Sequence, residues 1–167
     1  MILSDTLDVA AKQVIRLFED ILATLPPGCA TLEWRVTKMF PNIAVMPTNV
    51  KSAEFGVLVN EPSLYGISFG RGKLTSQFEC PWEIGLKRSD SLDRQLSVLE
   101  RMSRAVIAGR CEHLLAHISI RGTIYVSEKE IYRISDLPKL PPRWRKQIIR
   151  YEPYYPTPKN HQSPLWV

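Results

Sequence analysis

Cysteine pairs, membrane-length apolar runs and intact catalytic signatures are missing from this chain, and each absence removes a class of function. Cys29, Cys80 and Cys111 are odd in number and widely spaced, with no C-x-x-C pair. This excludes a disulfide framework and a cysteine zinc site, and leaves three small hydrophobes. No window reaches the roughly eighteen consecutive apolar residues of a membrane-spanning helix. The opening MILSDTLDVAAK carries aspartates where a secretory leader needs basic side chains, so the expected location is the cytoplasm. With 167 residues, 44% hydrophobic and 23% charged, the composition is that of one soluble globular unit with a real core.

The stretch GISFGRGKLT (66–75) comes nearest to a phosphate-binding loop. Such a loop needs a first glycine five residues before the glycine of the Gly-Lys pair, a hydroxyl directly after the lysine, and a helix to follow. Here Ile67 occupies the first position, Leu74 the hydroxyl position, and KLTSQFEC alternates like a strand. The spacing predicts a β-hairpin turning at Arg71-Gly72.

CEHLLAH contains Cys111, His113 and His117 but lacks the H-E-x-x-H order of a helical zinc site. On a strand the two imidazoles would stand about 13 Å apart, too far to share an ion. A Cys111–His113 nucleophile pair has no evident orienting group. Surface or half-buried histidines are the expectation. Glu79 and Glu83, and likewise Glu128 and Glu130, read as solvated charges. No catalytic, cofactor or metal site is expected, and the chain is read as a non-enzyme.

Periodicity supplies the fold class. Residues 5–25 keep Leu7, Ala10, Ala11, Val14, Ile15, Leu17, Phe18, Ile21, Leu22 and Leu25 on one helical stripe, stopped by Pro26-Pro27-Gly28. The period then becomes two in TLEWRVTKM, EFGVLVN, LYGISFG and KLTSQFECPW, which predicts an antiparallel meander with one buried face. Residues 40–53, with two prolines, read as a long loop or an edge segment. A second helix is expected over about 90–109, with Leu92, Leu96, Leu99, Met102 and Val106 in spacing and Gly109 as terminator. Its Arg94, Arg101 and Arg104 face solvent, with Glu100 as an i,i+4 partner. Two or three short strands follow around a turn at Arg121-Gly122, then the proline-rich SDLPKLPP. Residues 143–150 suggest two helical turns, and PYYPTPKNHQSPLWV an extended tail. The class is α+β, with both long helices on one face of the sheet.

Charge is distributed unevenly. Residues 1–138 balance 16 basic against 16 acidic side chains, while 139–167 hold six basic residues and only Glu152. The expected division is an α+β unit over 1–138 and a basic, aromatic extension over 139–167. The extension interleaves Arg143, Arg145, Lys146 and Arg150 with Trp144, Tyr151, Tyr154 and Tyr155. These eight are the candidate partner-binding residues. Arg, Trp and Tyr dominate protein–protein hot spots, and cations with aromatics also fit nucleic acid. A third possibility is that Trp144, Ile148 and Ile149 dock the segment on the core while its charges stay solvated.

The element order over about residues 5–134, with segments such as FECPWEIG and LERMSRAVIAGRCE, resembles the immunity proteins that neutralise bacterial polymorphic toxins. It also resembles type III secretion chaperones, although these are typically acidic. The resemblance is one of architecture and implies no site residues. It implies a cytoplasmic protein that binds and blocks a cognate toxin, or alternatively one that holds a secreted effector. A nucleic-acid-binding module is the remaining alternative, and no membrane partner is expected.

Overall fold

The computed structural model describes residues 9–36, 41–61, 63–72, 76–78, 91–116, 119–135 and 146–156. In chain order these form α1 (Val9–Ala23), β1 (Ala30–Val36), β2 (Pro41–Pro47), β3 (Glu54–Asn60), β4 (Ser63–Gly70) and β5 (Ser76–Phe78). There follow α2 (Leu92–Ile107), β6 (Cys111–Ala116), β7 (Ser119–Tyr125), β8 (Ile131–Ser135) and β9 (Lys146–Arg150). Strands β1 to β5 make one sheet in sequence order, here sheet A. Sheet B has the order β8-β7-β6-β9. All pairings are antiparallel, so the α+β class holds.

Sheet A follows directly from the alternation. Leu32, Val45, Phe55 and Phe69 stand opposite one another across four strands, and Trp34, Ile43, Val57 and Ile67 form the next row. Both helices lie against sheet A, α1 on β1 and β2 and α2 on β3 and β4. Phe18 of α1 meets Phe55 edge-on, with ring centroids 6.2 Å apart. Phe18, Phe55 and Phe69 are fully buried, each favouring the fold by roughly 1.5–3 kcal/mol over an exposed ring.

The helix ends are secured by different means. Glu61, in the β3–β4 turn, accepts the Ala10 and Ala11 N–H groups of α1 at 3.2 and 3.0 Å. These are donors that a first turn leaves without intrahelical partners. For α2, the Ser91 hydroxyl accepts from Arg94 N–H at 3.3 Å. Gly109, at φ 77°, ends α2, and Arg110 N–H closes onto the Ala105 carbonyl at 2.8 Å.

Several local expectations are corrected. The segment expected as a loop or edge is β2, an inner strand between β1 and β3. Its prolines occupy only the ends, Pro41 opposite Val36 and Pro47 opposite Ala30, so the middle of the ladder keeps its donors. Arg121-Gly122 is not a turn but the middle of β7. Residues 146–150, expected as helix, are β9, paired along β6 from Glu112 to Ala116. Here cross-strand partners override a weak helical pattern. The glycine-rich stretch is a hairpin connection: Ser68 pairs with Gln77, and a strand follows where a phosphate loop needs a helix. Lys73, Leu74 and Thr75 lie outside the described residues.

Sheet B is a Greek key, a three-strand meander whose fourth strand returns beside the first. Residues 146–156, the described part of the basic extension, are therefore woven into the fold. Tyr151 and Tyr154 belong to the same core as Phe18 and Leu99.

Candidate binding face

Alternation divides sheet B into two chemically opposite faces. Cys111, His113, Ile124 and Ile149 point inward, and His113 lies between its two cross-strand partners, Gly122 and Ile149. His113 is fully buried, beyond the half-buried state expected. Its ring stacks on Phe69 of sheet A, centroids 4.8 Å apart and planes 14° from parallel. Its Nδ1 lies 2.6 Å from the Tyr151 hydroxyl, the other ring of the junction. Burial lowers the His113 pKa to about 4. Glycine at 122 is required by this stack: a Cβ there would lie 2.6 Å from Phe69 Cζ and 3.2 Å from His113 Nε2.

The Cys111–His113 pair is thus sealed. Both side chains are at 0% exposure, and burial pushes the thiol well above its ordinary range, away from the reactive thiolate. Among the described residues, no group of three or more His, Cys, Asp or Glu side chains is placed to hold a metal. His117, Glu79 and Glu83 lie outside the described residues. Glu128 is exposed, while Glu130 accepts Arg101 Nε at 3.0 Å and the Tyr132 hydroxyl at 2.6 Å. On α2, Arg104 meets Glu100 at 3.1 Å, the expected i,i+4 pair.

The outer face is different. Arg150, Glu112, Thr123 and Arg133 form one row across β9, β6, β7 and β8. Ile148, Leu114 and Arg121 form the next, and Lys146 stands beyond, opposite Ala116. Four cations thus share a field roughly 15 Å wide with one carboxylate among the described residues. Glu112 is engaged on both sides, by Arg150 Nε at 3.6 Å and by the Tyr125 hydroxyl at 2.5 Å. The Tyr125 phenol is pushed up to about 12, by burial first and then by Glu112, with Arg133 and Arg121 pulling the other way. Arg121 Nε is buried without a hydrogen-bond partner. Ile148 stands 52% exposed in the middle of the field.

The candidates drawn from the extension separate on this division. Lys146 and Arg150 are exposed on the outer face. Tyr151 and Tyr154 are corrected to core residues, 5% and 3% exposed. Their hydroxyls meet His113 Nδ1 and, at 2.7 Å, the Ala53 carbonyl, so neither is available to a partner. Tyr155 is half-buried at the core margin. Arg143, Trp144 and Arg145 lie outside the described residues. Sequence reasoning missed Arg121, Arg133, Glu112 and Tyr125. The signal was the period-two run Arg121, Thr123, Tyr125, hidden once Arg121-Gly122 is read as a turn. No protein-family model matches the sequence, and no curated protein and no solved structure matches the chain.

Proposed function

We propose that this chain is a non-enzymatic binding protein that covers an acidic surface of a protein partner with the outer face of sheet B, as an immunity-type inhibitor covers a toxin. One observation carries the reading: Arg121, Arg133, Lys146 and Arg150 converge from three strands around the exposed Ile148, with Glu112 as their single acid among the described residues. Cations so grouped steer an acidic partner and raise its association rate. Ile148 is the apolar group that docking would desolvate. A protein is favoured over nucleic acid because Tyr151 and Tyr154, which would stack on bases, are inside the fold.

The test is co-expression with a toxin encoded beside this gene, scored by growth and by association kinetics. Reversing Arg121→Glu with Arg133→Glu should slow association about tenfold at low salt and remove protection. Full protection by the double variant would rule this face out. Tight binding of a single-stranded oligonucleotide that weakens steeply with salt would favour the nucleic-acid reading instead.

A further inference from the structure

The ladder phase of sheet B shows which backbone groups of β9 face away from the fold. Tyr151 N–H donates to the Cys111 carbonyl at 3.3 Å, and Tyr125 N–H to the Arg110 carbonyl at 2.9 Å. Antiparallel ladders alternate, so β6 uses its odd residues toward β9 and its even residues toward β7. The partners on β9 are therefore Gln147 and Ile149, continuing to Tyr151. The N–H and C=O groups of Lys146 and Ile148 point the other way, to the side where the described residues place no further strand. A strand edge of this kind is a ready template for another chain.

The side chains along that edge select the occupant. Lys146, Ile148 and Arg150 alternate onto the cationic outer face. A second copy of β9 would set like charges opposite one another in either direction, which disfavours self-pairing. A strand with carboxylates opposite Lys146 and Arg150 and a β-branched residue opposite Ile148 meets the edge in charge and in shape. The spacing is acid-x-apolar-x-acid.

We propose that β9 accepts an extended acidic segment of the protein partner as a fifth strand of sheet B. This rests on the reading of an acidic protein partner and adds how that partner is held. Main-chain hydrogen bonds then supply affinity, and the alternating side chains supply selectivity.

The experiment uses the full chain and a blocked synthetic heptapeptide, Thr-Glu-Thr-Val-Thr-Glu-Thr, followed by fluorescence polarisation and by NMR amide exchange. Exchange at Ile148 should slow at least tenfold when the peptide is added, while Ile149 is protected throughout. N-methylating the peptide backbone along its pairing edge should weaken binding at least tenfold. Ile148→Pro should do the same, because it removes only an outward N–H, which an edge strand tolerates. Replacing the glutamates by lysine should also cost at least tenfold, and equal binding of that peptide would overturn the acidic occupant. If Ile148→Pro and N-methylation leave affinity unchanged while Arg121→Glu abolishes it, the acidic chain lies across the face and strand addition is wrong, although the acidic-partner reading stands. No binding at millimolar peptide overturns strand addition. If in addition Arg121→Glu with Arg133→Glu leaves toxin protection intact, the acidic-partner reading falls as well.

Discussion

Sheet A joins strands that follow one another in the chain, and two helices lie against it; sheet B recruits β9 from beyond β8 and gathers four cations on one face. In the first, the alternating Ile43, Val45, Phe55, Val57, Ile67 and Phe69 are buried, and the small row Ala44, Gly56 and Ser68 between them is buried as well. In the second, burial depends on residues 151–154, which tie the two sheets together. Tyr154 N–H caps α2 at the Ile107 carbonyl, 2.9 Å away, and Glu152 N–H reaches the Lys51 carbonyl at 3.0 Å. The Pro153 carbonyl accepts the Ser52 hydroxyl at 2.9 Å and Asn49 Nδ2 at 3.2 Å. The tie explains why Gly109 is glycine, since a Cβ there would lie 2.6 Å from Pro153 N. A segment that looks like a tail in sequence thus holds the second sheet, and its cationic face, against the first.

Breaking the tie should have the largest effect. Tyr154→Ala removes a buried ring and the hydroxyl bonded to Ala53, at an expected cost of about 3–5 kcal/mol. Tyr155→Ala, at the margin, should cost far less. Urea unfolding of the two variants checks this, and equal losses would mean that residue 154 is not a tie.

Acid should separate the sheets next. The folded His113 pKa of about 4 lies below the ordinary 6.5, so the unfolded chain takes up the proton first as pH falls. Stability from this group is complete above pH 6.5 and is lost progressively as pH falls through about 4, by roughly 3 kcal/mol in all. His113→Asn, whose amide can still meet the Tyr151 hydroxyl but does not titrate, should flatten that part of the profile. A variant profile parallel to the parent's between pH 4 and 6.5 would assign the acid loss to other groups.

The smallest effect belongs to sheet A's side. Glu61→Ala leaves the Ala10 and Ala11 N–H groups without their carboxylate and should cost about 1 kcal/mol, the value of a typical N-terminal cap. Amide exchange should show the loss in α1 and not in β6 or β9. Loss spread evenly over both sheets would mean that their stabilities are not separable.

Where the chain's neighbours are local, its pattern was readable. Phe55, Val57, Ile67 and Phe69 announced a buried strand face, and Leu99, Met102 and Val106 a helical one, because side-chain direction follows backbone period. Position 95 broke the helical pattern, yet Gln95 is 1% exposed, its Oε1 accepting the Leu64 N–H at 3.0 Å. No periodicity signals a polar helix side chain whose partner is the backbone of a distant strand. The same limit applied to His113 and Tyr151, whose pairing joins residues 38 positions apart.

By itself the sequence determined the α+β class, the two long helices, the hairpin at the glycine-rich stretch and the absence of intact catalytic motifs, since each rests on local period or spacing. Only the tertiary structure decided that Gly122 lies mid-strand beneath Phe69, that Tyr151 and Tyr154 are core, and that Arg121 and Arg133 stand with Lys146 and Arg150. Those placements come from pairing between strands far apart in the chain, and the register that sets them is a property of the assembled sheet.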